Sequence, residues 1–76
     1  MSETIHQARD DEGRGHLAVT SFSGGAERGA MLQFTIENHK GAEFVALTYP
    51  SVEELYNALG AWLLDRLLSG YRPPHK

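Results

Sequence analysis

The segment 49–74 restricts the fold of this chain more than any other segment. Its sequence is YPSVEELYNALGAWLLDRLLSGYRPP. Ser51, with Glu54 three residues later, forms the capping box that begins many helices. Ser69-Gly70 is a stop signal, and the pair Pro73-Pro74 prevents any continuation. We therefore predict a single amphipathic helix with Ser51 as its N-cap.

This helix carries a broad apolar stripe. At about 100° per residue, seven side chains fall on one side of it, namely Val52, Leu55, Tyr56, Leu59, Trp62, Leu63 and Leu67. A sheet packed against the stripe would bury these side chains. We therefore predict that Trp62 is a core residue with Phe34 and Leu47 as its neighbours.

Two further leucines lie away from that stripe. Leu64 and Leu68 are separated by one helical turn and stack beside Ala61. One sheet covers one side of a helix, so these leucines are expected to stay uncovered. They are either scattered exposed leucines, which are common, or a contact surface for a second copy or another protein. The predicted interface comprises Leu64, Leu68, Ala61 and Gly60; Gly60 is either tolerated, at a cost of roughly 1 kcal/mol against alanine, or a point of close packing.

Length and composition restrict the class of protein. A chain of 76 residues holds one domain, and the absence of cysteine excludes disulfides, thiolate metal sites and thiol catalysis. A formal net charge of −3 argues against tight nucleic-acid binding, which depends on phosphate neutralisation. No apolar run is long enough to span a membrane, and the N-terminus lacks the apolar core of a signal peptide. The expected location is the cytoplasm.

Alternating apolar and polar residues predict the strands. Residues 1–15 hold one large aliphatic side chain, Ile5, and are predicted to be a disordered tail. Alternation then predicts strands over 16–22, 30–39 and 42–49.

These elements define the expected fold. It is an α+β domain over residues 16–70, in which a three-stranded antiparallel sheet, with its strands in chain order, has the helix across one face. Residues 71–76 are expected to form a flexible tail.

Facing residues fix the expected register of the last two strands. An even-length turn around Lys40–Gly41 places Ile36 opposite Val45, Phe34 opposite Leu47 and Leu32 opposite Tyr49, all on the core side. An odd-length turn would bury Phe44 and Ala46 instead, and the even turn buries the larger set. Phe44 then lies on the outer face near Glu37. A second contact patch is predicted there, formed by Phe44, Met31, Phe22 and Arg28.

No arrangement of polar residues in the sequence indicates catalysis, a metal site or a cofactor. The four histidines are dispersed without the spacing that zinc sites favour. No serine has a histidine placed to activate it. The segment SGGAERG precedes a strand and lacks the lysine of a phosphate-binding loop. It is expected to be a flexible hairpin loop, with a backbone anion site at Arg28 as the alternative. The protein is therefore expected not to be an enzyme.

The runs FSGGAERGAMLQFT and ALTYPSVEELYNALGAWLLDRL resemble a pattern in small bacteriophage or prophage proteins. The matching positions are Phe22, Gly24, Gly25, Arg28, Gly29, Leu32, Gln33, Leu47, Thr48, Glu54, Leu55, Leu59 and Trp62. The resemblance covers residues 22–64 and implies no catalytic residues. It implies an accessory protein of the kind that includes anti-CRISPR proteins and inhibitors of host RNA polymerase, which occupy a surface on a large host machine.

Together these features predict a non-enzymatic regulatory or inhibitory protein that binds a macromolecular host partner. The alternative is a small DNA-binding module that lays its sheet in a groove. Such a module needs cations on the outer sheet face, and the residues predicted there, Gln33, Thr35, Glu37, Phe44 and Ala46, include none.

Overall fold

Four antiparallel strands form one sheet in the computed structural model, which describes residues 2–72 and residue 74. The strands are β1 (Glu3–Arg9), β2 (Gly15–Ser23), β3 (Ala30–Asn38) and β4 (Gly41–Thr48), and they lie side by side in chain order. A short helix α1 (Gly25–Arg28) joins β2 to β3, and a long helix α2 (Tyr49–Leu68) follows β4. The predicted α+β class is confirmed, with four strands in the sheet instead of three.

The additional strand comes from the segment predicted to be a disordered tail. Residues Glu3–Arg9 pair with β2, with an irregularity in the pairing between Thr4 and His6. Every side chain of β1 is exposed, so the strand needs none of the apolar residues whose absence suggested disorder. Its main contribution is backbone pairing along the edge of the sheet, which a pattern of buried side chains does not reveal.

A compact turn connects β1 to β2. The backbone N–H of Asp10 donates to the carbonyl of Gly15 over 2.9 Å, and the N–H of Gly13 donates to the carbonyl of Asp10 over 3.0 Å. The guanidinium of Arg14 lies 3.3 Å from the carboxylate of Asp10 and 2.9 Å from that of Glu12. These exposed pairs hold the first hairpin together locally.

The turn between β3 and β4 is even in length, as predicted, but it is centred one residue earlier, on His39-Lys40. Asn38 pairs with Gly41, so Phe34 faces Val45 and Leu32 faces Leu47. The side chain of Asn38 accepts a hydrogen bond from the N–H of Lys40 over 2.8 Å. The predicted pairs are therefore wrong by two residues, but a shift of two leaves every side chain on the predicted face.

The two faces of the sheet differ in composition. We call one the apolar face; it carries Ala8, Leu17, Val19, Leu32, Phe34, Ile36, Val45 and Leu47. The other, the mixed face, carries Phe22, Met31, Gln33, Thr35, Phe44 and Ala46. Val19 on the apolar face and Met31 on the mixed face are the buried hydrophobic residues of the described chain, at 7% and 5% exposure.

Met31 is buried because the backbone comes close to it at Gly24. A Cβ atom at Gly24 would collide with the Met31 sulfur and would lie 3.0 Å from the Met31 Cγ. The N–H of Gly24 donates to the carbonyl of Gly29 over 2.6 Å, which closes the loop around α1. The segment predicted to be a flexible hairpin loop is thus a short helix in a closed loop.

Helix α2 begins three residues earlier than predicted. Its N-cap is Thr48, and Pro50 lies in the first turn, where the N–H that proline lacks has no partner in a helix. Ser51 is therefore inside the helix and is not its cap. The predicted stop is confirmed: Gly70 has a φ of 82°, and the N–H of Tyr71 donates to the carbonyl of Arg66 over 3.0 Å.

Residues beyond the stop signal continue outside the helix. Tyr71, Arg72 and Pro74 have no helical or strand structure. The remainder of the predicted C-terminal tail, Pro73, His75 and Lys76, lies outside the described residues.

Only the first turns of α2 pack on the sheet. Val52 and Leu55 are half-buried, and every residue from Tyr56 to Leu68 is exposed. The contacts of α2 are mainly with β3 and β4. The radius of gyration is 15.1 Å, against about 11 Å for a compact chain of this length. The prediction that Trp62 is a core residue is wrong, since 57% of it is exposed.

Two glycine-to-alanine substitutions test this packing. We expect Gly24→Ala to lower the free energy of unfolding by about 1–3 kcal/mol, because the new methyl group collides with Met31. We expect Gly60→Ala to raise it by about 0.5–1 kcal/mol, because a Cβ there meets nothing within 4 Å and alanine favours the helix. Urea titration monitored by circular dichroism measures both. Equal effects of the two substitutions would contradict the close contact at Gly24.

Removal of β1 tests the role of the edge strand. We expect a chain that starts at Gly15 to melt at least about 5 °C below the full chain, because β2 loses its backbone partner. A chain that lacks only Met1 and Ser2 serves as the control and should melt with the full chain. Coincident melting of all three would show that β1 contributes nothing to stability.

Candidate functional site

The largest exposed apolar surface belongs to the part of α2 that has left the sheet. We call residues 56–68 the distal helix. Its exposed large side chains are Tyr56, Leu59, Trp62, Leu63, Leu64, Leu67 and Leu68. Monomeric proteins rarely leave such a contiguous set of apolar side chains in water, and exposed patches of this kind mark interaction sites.

One side of the distal helix continues the surface that touches the sheet. Val52 and Leu55 share the apolar stripe with Leu59, Trp62 and Leu63 at about 100° per residue. The first two are half-buried and the last three are exposed. The same stripe is therefore covered in its first turns and bare beyond them.

A single cation lies within this stripe. The guanidinium carbon of Arg66 lies 5.5 Å from the centroid of the Trp62 ring. This cation–π contact places the aliphatic stem of Arg66 along the stripe and leaves a positive charge at its centre. The stripe is thus apolar except for the positive charge of Arg66.

The apolar face of the sheet is also open. Ile36 and Val45 are 61% and 55% exposed, although both lie on the face that should form the core. Phe34 and Leu47 are half-buried. Glu43 faces Ile36 across the ladder and is the acidic side chain at this end of the face. The molecule therefore has two unpartnered apolar surfaces.

The interface predicted from the sequence lies on the far side of the distal helix. Leu64 and Leu68 are exposed, Leu68 at 79%, and both lie away from the stripe. Gly60 and Ala61 are exposed on the same flank, and a Cβ atom built at Gly60 meets nothing within 4 Å. The structure thus gathers the four predicted residues along one edge, which we call the leucine edge.

The second predicted patch is not one surface. Phe22 lies directly opposite Met31 in the ladder, but Met31 is buried and offers little to a partner. Phe44 is opposite Thr35, about 13 Å along β3 from Met31 at the usual rise of a strand. Arg28 is exposed in α1, where its Nε donates to the carbonyl of Gly24 over 3.4 Å. Phe44 therefore stands apart from the other three residues.

Polar side chains gather at the opposite end of the sheet. A shallow depression of about 450 Å³ lies there, lined by Arg9, Asp10, Arg14, His16 and Glu37 together with Ala8, Leu17 and Ile36 of the apolar face. The imidazole of His16 lies 3.5 Å from the carboxylate of Glu37, and both side chains are exposed. Among the described residues no group of three or more acidic or imidazole side chains is placed to hold a metal ion. The depression is open to solvent, and the surface that lines it is mainly apolar.

Comparison with known proteins adds nothing to this description: no family model, curated protein or solved structure matches the chain. Within residues 2–72 and 74, neither helix is long and apolar enough to cross a membrane. The distal helix and the apolar face are therefore the features on which a functional proposal must depend.

Sequence reasoning found the leucine edge but missed the larger surface. It assumed that the stripe and the apolar face cover each other within one chain. The sequence did not reveal that no loop separates β4 from α2: Thr48 ends the strand and Tyr49 begins the helix. Helices that fold back over a sheet are usually reached through a loop of several residues.

A matched pair of substitutions distinguishes the covered part of the stripe from the bare part. We expect Val52→Glu to lower the free energy of unfolding by about 1–2 kcal/mol, because Val52 is half-buried against the sheet. Leu59 lies two turns along the same stripe and is exposed. We expect Leu59→Glu to change the free energy of unfolding little when the protein is dilute. Thermal melting at low micromolar concentration makes the comparison. A larger loss for Leu59→Glu would show that the distal helix packs on its own sheet.

Proposed function

We propose that this protein is a small regulatory or inhibitory protein that acts by binding a macromolecular partner and not by catalysis. The observation that carries the proposal is that the distal helix exposes leucines on more than one side, at the leucine edge as well as along the stripe. Covering the stripe would still leave the leucine edge in water, so this edge is the surface assigned to the partner.

The leucine edge suits a protein groove. Leu64 and Leu68 are one helical turn apart, which is the spacing of the anchors that a helix inserts into an apolar groove. Gly60 and Ala61 lie on the same flank and are small enough for a partner to approach the helix closely. The adjacent Asp65 and Arg66 leave the distal helix without net charge. An apolar groove on a protein therefore fits better than a phosphate backbone.

The proposed setting is a phage-encoded protein in the cytoplasm of a bacterial host. The support for it is the resemblance of residues 22–64 to small phage and prophage accessory proteins, such as anti-CRISPR proteins and inhibitors of the host transcription machinery. Proteins of this kind act by occupying a surface on a larger assembly. Fold alone does not specify such a function, so the proposal depends on the leucine edge.

The test uses tagged full-length chains as baits in bacterial lysate. We expect a defined host complex to co-purify with the unchanged chain, and Leu64→Glu combined with Leu68→Glu to reduce its recovery at least about tenfold, as expected when two apolar anchors are lost. Ala58→Glu, which adds a charge about 100° around the helix from the mean direction of Leu64 and Leu68, is the control and should retain the complex.

Two outcomes would count against the proposal. Equal recovery with the double substitution, at equal helix content by circular dichroism, would remove the leucine edge as the site. Recovery of DNA in place of protein, sensitive to salt and to Arg9→Ala, would favour the groove-binding module considered from the sequence.

A further inference from the structure

The accessible surface of the chain is much larger than a folded monomer needs. It amounts to 6674 Å², whereas a folded monomer of 8.4 kDa is expected to expose roughly 4600 Å². The excess is roughly 2000 Å² per chain. Two chains that each removed this excess would bury roughly 4000 Å², which is the range of obligate homodimers.

Two exposed surfaces, the distal helix and the apolar face, are similar in length and are both largely apolar. Residues 56–68 of α2 extend about 20 Å at the rise of an α-helix. The apolar face is about 30 Å long on β3 and β2, at the rise of a strand, and a helix covers roughly two strands of it. Each surface is apolar, and each is the usual partner of the other in α+β domains.

The junction between strand and helix keeps these surfaces apart within one chain. Tyr49 begins α2 directly after Thr48 ends β4, so no loop allows the helix to turn back over its own sheet. Val52 and Leu55 reach the end of the sheet, and the helix then passes beyond it. The distal helix of one copy is therefore free to reach the sheet of another.

The two surfaces carry charged residues of opposite sign. Arg66 is the cation on the stripe, and Glu43 is the acidic residue beside Ile36 on the apolar face. The stripe is otherwise apolar, whereas the apolar face also carries Glu3, His6 and Ser21. Packing a stripe against the face of another copy brings opposite charges to the same interface, where like charges would oppose it.

From these observations we propose that the protein forms a two-fold symmetric dimer in which the distal helix of each copy lies on the apolar face of the other. Each copy places its distal helix on the other copy and receives the other's helix in return. One two-fold axis therefore relates the two contacts, and both stripes are covered. The leucine edge points away from this contact and stays open. The dimer therefore does not depend on the proposed function, although both use α2.

Sedimentation equilibrium of the full chain gives the first measurement. We expect a mass of twice 8.4 kDa at tens of micromolar, with dissociation on dilution. The emission of Trp62, the one tryptophan of the chain, should shift to shorter wavelength as the dimer forms, because the partner's sheet covers the ring. A mass of one chain at every concentration, with unchanged emission, would overturn the proposal.

Cross-linking identifies the surfaces in contact. The chain has no cysteine of its own, so single cysteines can be placed at exposed positions without competing thiols. Full chains that carry either Ile36→Cys on the apolar face or Leu63→Cys on the stripe are mixed and treated with a short bis-maleimide. We expect mixed pairs in several-fold greater yield than with Glu37→Cys, the adjacent exposed residue on the mixed face.

Three results of the same experiment would contradict the exchange. Mixed pairs that form no better with Ile36→Cys than with Glu37→Cys would exclude contact between stripe and face. Cross-linking of Ile36→Cys mainly to itself would mean that two sheets pack face to face. Internal cross-linking of a chain that carries both cysteines, at the mass of one copy, would mean that the helix closes on its own sheet.

One further variant separates this proposal from the proposed function. The combination of Leu64→Glu and Leu68→Glu is expected to leave the dimer mass unchanged while it reduces recovery of the host partner. Loss of the dimer in this variant would assign the leucine edge to self-association and would overturn the helix-on-sheet arrangement. Loss of the partner alone would leave the dimer as proposed.

Discussion

The direct junction of β4 and α2 determines the shape of this molecule. A strand that ends at Thr48 and a helix that begins at Tyr49 share one continuous path, and Pro50 in the first turn fixes its backbone. The helix can touch the sheet only through its first turns, at Val52 and Leu55. A helix directed away from the sheet leaves the apolar face bare and lengthens the molecule, whose long dimension is 45 Å.

The sequence predicted the secondary structure better than the packing. Alternation identified the strands at β2, β3 and β4, because each has one apolar side. It could not identify β1, because all of that strand's side chains are exposed and its pairing is made by the backbone. The stop at Gly70 was found because its signal is local, whereas the start at Tyr49 was missed because two overlapping signals, Pro50 and Ser51, compete for it.

The candidate site shows the same division between local and long-range information. The leucine edge could be predicted, because helical periodicity alone places Leu64 and Leu68 together away from the stripe. The exposure of Trp62 could not, because it depends on whether the helix turns back over the sheet. Likewise, the alternation of side chains placed Phe44 on the mixed face correctly. Its separation from Met31 was already implied by the predicted register, which put Phe44 beside Glu37, and the observed register only reduces that separation by two residues.

A sheet with two free edges presents unpaired backbone groups that could recruit further chains without limit. The pairing of β1 to β2 is irregular between Thr4 and His6, and the strand carries charges at Glu3 and Arg9. An interrupted, charged edge is a poor template for a further strand. The first strand therefore has a consequence beyond stability, since it makes one of the two edges of the sheet a poor site for the addition of strands from other chains.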